Sequence, residues 1–170
     1  MNEVEYIEYF EALARKNCVL NHNPEDNKKS FFCINNPYET AEFDQALRSS
    51  AASTVFLLDA PAGYLSDNGS GNCTQTTKIE FLVLGKSGKE NIRTTRTHCF
   101  QTGFDILARV GSDAKKKAII PGRSIYFMNE NITYDVVGPI NINYYGYAFQ
   151  FNFVCPFSFS SESGAWTDHI

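Results

Sequence analysis

YYGYAFQFNFV, residues 144–154, sets Tyr145, Tyr147, Phe149, Phe151 and Phe153 in alternation with Gly146, Ala148, Gln150, Asn152 and Val154. A two-residue period is the spacing of side chains along a β-strand, so one face of this segment is strongly aromatic and the other mixed. An aromatic row of that length left in water would drive aggregation. The stretch therefore predicts a long sheet strand with one core-facing side. The same bias runs through the chain, which has 14 Phe and 9 Tyr but a single Trp. Phe and Tyr join large apolar area to sheet preference, which favours a sheet-rich core.

Working back from this strand, residues 124–128 and 132–137 read as two more strands. Before them, residues 91–110 give the clearest helical period: Ile92, Thr95, Cys99, Thr102 or Gly103, Ile106 and Val110 mark one side, with Leu107 broadening it. Gly103 inside that helix costs helicity and predicts close approach to a sheet, and Gly111 reads as the terminator. Residues 76–84 (TTKIEFLVL) and 53–59 (STVFLLD) read as strands, the second stopped by Pro61 and Gly63. Between them, residues 64–75 (YLSDNGSGNCTQ) read as a long loop or hairpin tip, and loops of that length often bind something.

The amino-terminal segment places Val4, Ile7, Phe10 and Leu13 on one stripe widened by Ala14, acidic at its start and basic at Arg15 and Lys16, as a helix dipole favours. A polar loop follows over 21–30, then a short strand at 31–34. A second helix is expected over 38–50, with Ala41, Phe43, Ala46 and Leu47 as its apolar side. The fold class expected is α+β: a mixed or mainly antiparallel sheet packed against a long central helix, with an amino-terminal helix and an extended hairpin. At 170 residues the chain suits one domain, with residues 158–170 as an extended tail.

A net charge of -4, from 15 Lys plus Arg against 19 Asp plus Glu, gives little general attraction to phosphate backbones. A local patch would be needed, and the one candidate is Lys115, Lys116 and Lys117 with Arg109 and Arg123, which reads as a solvated loop. No sequence-specific nucleic-acid binding is expected. The start of the chain lacks the basic and then apolar pattern of a secretory signal, and no window approaches the roughly 18 apolar residues of a membrane span. A cytoplasmic protein without membrane contact is the expectation. Five widely spread cysteines, an odd number, do not suggest a disulfide framework.

Chemistry-bearing residues are scattered. Cys18 and His22 lack the second close pair of a zinc site, and Gly85-Lys86-Ser87-Gly88 lacks the earlier glycine of a phosphate loop. Cys99 with a distant histidine, or Cys155 with His169, would each need an activated thiolate and an oriented base. Among the carboxylates Asp59, Asp67, Glu80 and Asp135, Asp59 at a strand end merits inspection. No cofactor, metal or catalytic residue is assigned. The rival reading is a small-ligand or enzymatic domain using the loop after Asp59 and the His98/Cys99 region.

The order of elements, carried by residues 4–13, 53–84, 91–110 and 133–153 with Gly138-Pro139 ahead of Tyr144-Tyr145-Gly146, resembles the tail-terminator and head-tail joining proteins of long-tailed bacteriophages. That resemblance implies a non-catalytic subunit that forms a ring, commonly hexameric, assembled into a virion between tail tube and head connector. Residues 38–50 and 64–75 and the tail SSESGAWTDHI stand outside the pattern. Contacts are then expected from Tyr64 and Asn68, from Lys86, from Lys115, Lys116, Lys117 and Arg123, and from Trp166 as an aromatic anchor.

Overall fold

The computed structural model describes residues 2–35, 40–50, 52–67 and 69–158. Asn68 and Trp166 lie outside them, as do Tyr38, the side chain of Phe43 and nearly all of the 158–170 tail. The chain folds as α1 (Glu3–Lys16), β1 (Phe31–Ile34), α2 (Thr40–Ser49), β2 (Thr54–Asp59), β3 (Ala62–Asp67), β4 (Cys73–Lys86), α3 (Ile92–Lys115), β5 (Tyr126–Ile140) and β6 (Tyr144–Phe157). This is the expected α+β class. The sheet runs β1-β2-β4-β6-β5, with β3 added to the first half of β4. It is mixed because β1 lies parallel to β2 while every other pair is antiparallel. The parallel step needs a crossover, and α2 supplies it. No described helix is long and apolar enough to cross a membrane.

The aromatic strand sits inside the sheet, between β4 and the edge strand β5. β6 pairs with β4 along its whole length, from Cys73↔Phe157 to Lys86↔Tyr144. Its odd-numbered residues Phe149, Phe151 and Phe153 are fully buried against α1 and α3, in one core with Phe56, Phe81 and Phe10. Its even-numbered face is not merely mixed. Tyr144 and Ala148 join a second, smaller core with Val55, Leu57, Leu82 and Leu84, roofed by Ala46 and Leu47 of α2. Tyr144 Oη donates to the Leu47 carbonyl at 3.3 Å, which ties that helix to the sheet. Ala41, expected on the apolar side of α2, is exposed.

Four boundaries differ from the sequence reading. In α1 the buried face is Tyr6, Phe10, Leu13 and Ala14, and Val4 is 61% exposed. Tyr6 takes the place of Val4 because its ring stacks on Phe153, with centroids 6.1 Å apart. The loop at 21–30 is not wholly solvated: His22 is buried, and its Nδ1 accepts the Ser30 and Phe31 backbone N–H groups at 3.1 and 3.0 Å. Of residues 64–75, read as a long loop or hairpin tip, 64–67 belong to β3 and 73–75 to β4, which pair from Ala62↔Lys78 to Asp67↔Cys73. The two strands expected over 124–137 are one, β5, whose pairing with β6 slips between Met128 and Thr133 where Asn131 adopts a left-handed φ of 65°.

The central helix carries the remaining correction. α3 runs through Gly111 for another turn, with Asp113 held across it: Arg109 Nε, one turn back in the same helix, donates to the Asp113 carboxylate at 2.9 and 3.0 Å, and Tyr9 Oη from α1 donates at 3.2 Å. The helix ends at Lys115, with Lys116 as its cap, and φ turns to 54° at Lys117. Gly103 behaves as its position predicts. A methyl group there would overlap the Phe149 ring, so glycine sets how closely α3 lies on β6.

The two helical glycines should respond oppositely to alanine. Gly103→Ala forces apart the helix and the Phe149 ring and should cost about 1–3 kcal/mol of unfolding free energy. At Gly111 the nearest atoms to an added methyl are the Phe127 ring carbons at 3.5 Å, an ordinary contact. Gly111→Ala should therefore stabilise by about 0.5–1 kcal/mol, and urea unfolding of both variants tests the contrast.

Candidate functional site

β5 is an edge strand of fifteen residues, and among the described residues only β6 pairs with it. Most of it is exposed. An edge of this length displays unpaired N–H and C=O groups, a template for another strand. Its ends are blunted. At one end the slip between Met128 and Thr133 bends the strand, and at the other the pairing breaks again between Val137 and Ile140 around Gly138-Pro139. The regular stretch between them is Thr133–Val137.

Beside that stretch lies an aromatic surface. Tyr134 and Val136 point to the α3 side and are 50% and 54% exposed. The Tyr134 ring meets Phe100 and Phe104 of α3 edge-on, at 5.4 and 5.5 Å between centroids, and Phe100 meets Tyr147 at 5.0 Å. Phe100 and Phe104 are only half-buried. The edge and its flank thus form one continuous surface, polar along the backbone and aromatic beside it.

The residues expected to make contacts do not all meet. Register places Tyr64, Thr76, Val154 and Tyr126 in one row across β3, β4, β6 and β5 on the face away from α3. Tyr64 and Tyr126 are 64% and 58% exposed at the two ends of that row. Lys115, Lys116 and Lys117 lie at this same end of the sheet, at the carboxyl terminus of α3, where cations suit the helix dipole. Arg123, nearby, is held by Glu5 of α1 at 3.3 Å. Lys86 closes the far end of β4, ten residues along from Thr76 or roughly 33 Å away. Sequence reasoning passed over Tyr134, Val136, Phe100 and Phe104. The Phe100–Phe104 spacing of four was the available signal.

Lys115 and Lys117 also rim a groove of about 550 Å³ between the end of α3 and the start of β5. Leu107, Gly111, Ile125 and Phe127 contribute apolar surface to it. Among the described residues no carboxylate pairs with either lysine.

The candidate reactive groups are separated or occupied. Cys99 is fully buried, its Sγ is 3.6 Å from the Tyr145 carbonyl, and burial pushes the thiol up to about 12. His98, one residue along the helix, is exposed on a different side. Buried His22 spends Nδ1 on backbone donors, while Cys18 is exposed. His169 lies outside the described residues. Asp67 accepts the Gly69 N–H at 2.9 Å and so shapes the hairpin tip, and Glu80 meets Lys78 at 3.1 Å. Among the described residues no group of three or more His, Cys, Asp or Glu could hold a metal ion.

Asp59 is the carboxylate that stands out among the described residues. Its Oδ1 is buried with no hydrogen-bond donor among the described residues, and burial, with Glu80 adding repulsion, pushes its pKa up to about 6. Only Ala60 and Pro61 separate Asp59 from the start of β3, in place of the long loop expected there. No protein-family model matches the chain, and no curated protein matches it.

A raised carboxyl pKa means that folding favours the protonated form. The contribution of Asp59 is therefore fully present below the unfolded value, near 3.8, and is lost as pH rises through about 6. Asp59→Asn should remove that loss, raising stability at neutral pH by on the order of 1 kcal/mol after solvent screening and leaving acid stability nearly unchanged. Urea midpoints of the two proteins between about pH 4 and pH 7 measure it.

Proposed function

We propose that the chain is a non-catalytic structural subunit that assembles with copies of itself into a closed ring or joint of the kind found in phage-like tails and necks, using the β5 edge. The observation that carries this reading is the regular Thr133–Val137 edge beside the exposed aromatic surface of Phe100, Phe104, Tyr134 and Val136. Strand pairing between subunits satisfies the open backbone groups, and the aromatic flank adds apolar burial, so a liability of the monomer becomes an interface.

Charge favours a ring over a two-fold pair. Asp135 is at the middle of the regular stretch, so two copies of β5 meeting symmetrically there would set Asp135 against Asp135. Like charges directly opposite destabilise a sheet. Pairing β5 with a different edge of the next subunit avoids that clash, and such head-to-tail contacts close into rings when the rotation permits. The exposed Tyr64 and the hairpin beyond it lie at the end of the sheet that also carries Lys115, Lys116 and Lys117, a surface suited to a tail-tube or connector neighbour.

Light scattering of the full chain over a concentration series tests the proposal. The expected result is a stable closed oligomer, six copies in the ring reading. Val136→Lys places a charge on the flank of the edge and should return the protein to a monomer with unchanged circular dichroism. A wild-type monomer at every concentration would overturn self-assembly and favour the ligand-binding alternative.

A further inference from the structure

We infer that the groove between α3 and the start of β5 is a docking site for residues 159–170 of the same chain, with Trp166 seated in it. Three observations converge on this occupant. The first is shape and chemistry. The groove has an apolar floor that includes Leu107, Ile125 and Phe127, and because residue 111 is glycine no side chain fills the space beside the Phe127 ring. At about 550 Å³ it has room for a large aromatic side chain and its neighbours, and an aromatic ring buries on the order of 150–250 Å² on seating.

The second is charge. Lys115 and Lys117 stand exposed on the rim with no carboxylate partner among the described residues. The segment FSSESGAWTDHI carries Glu162 and Asp168 and neither Lys nor Arg. Acidic groups flanking Trp166 thus match cations flanking an apolar slot, as electrostatic complementarity requires.

The third is position. β6 ends at Phe157, only three residues past Val154, which pairs with Tyr126 at the mouth of the groove. Twelve further residues span up to about 40 Å when extended, well beyond the distance to be covered. A segment tethered that close is present at an effective concentration in the millimolar range, and a free ligand or a second copy must compete with it. The site does not depend on strand-edge assembly, so it can fail or hold independently of that reading.

Trp166 is the only tryptophan in the chain, so its fluorescence reports on the site directly. The full-length protein should show blue-shifted emission and protection from acrylamide, both unchanged on dilution. Gly111→Leu, which fills the slot, should move the emission to that of the unfolded chain and abolish the protection. Lys115→Glu with Lys117→Glu, both exposed and outside the core, should act in the same direction and guard against a packing fault in the leucine variant, and circular dichroism confirms that each is folded. Solvent-like emission in the wild type would overturn the proposal. So would blue-shifted emission that both variants leave unchanged, since the indole would then lie elsewhere. Protection that appears only as concentration rises would also overturn it, assigning the groove to the neighbouring copy's segment.

Discussion

The structure depends on the antiparallel ladder between β4 and β6. These fourteen-residue strands pair from end to end, and both cores are built on their two faces. On one face Phe81 and Phe149 stack at 5.1 Å between centroids, and Phe56, Phe151 and Phe10 extend the cluster toward α1. On the other, Leu82, Leu84, Ala148 and Tyr144 support α2. Most other elements are attached to this pair directly: β2 and β3 to β4, β5 to β6, and α3 to both through Gly103 and its neighbours, with β1 joined through β2. Removing the ladder would leave no apolar surface continuous enough for either helical layer to cover.

The ladder was legible in the sequence because its signal is local. The alternation in residues 144–154 reports a strand from its own side chains, and the apolar run of 76–84 reports a buried one. Gly103 was readable for the same reason, since a glycine in an otherwise regular helix marks a close approach. The misreadings arise where a distant residue decides the outcome. Gly111 looks like a helix stop, yet Tyr9 of α1 reaches Asp113, beside its local partner Arg109, and one more turn forms. Turn-forming residues around Gly63 look like loop, yet the first six residues of β4 offer a partner and pairing prevails. Tyr6 outranks Val4 on α1 because Phe153 lies beneath it.

The candidate surface was less legible than the fold. Residues 132–137 identify a strand, but whether a strand lies inside a sheet or at its edge depends on sheet order, which no single segment encodes. The strand pattern alone does not set Tyr134 apart, and in the structure half of it meets solvent. The lysines at 115–117 were visible as a charge run, and only the fold sets Lys115 and Lys117 over an apolar groove. Burial explains why the apparent chemistry of the sequence disperses. Cys99 and Cys33 are kept as thiols by the apolar surroundings that make them good packing residues, with Cys33 pushed up to about 11.

The place of β6 in the sheet also orders events as the chain is made. Among the described strands β6 follows all the others in sequence, yet it is inserted between β4 and β5 rather than added at an edge. Its partners lie 58 residues upstream at Lys86↔Tyr144 and 84 upstream at Cys73↔Phe157, so the ladder is built from contacts distant in sequence, which fold slowly. Until the residues of β6 leave the ribosome, Phe56 and Phe81 face an unfinished core and the long edge of β4 stands open. The nascent chain thus passes through a stage in which Phe56 and Phe81 are synthesised but lack the β6 half of their core, the stage at which chaperone binding or aggregation competes with folding.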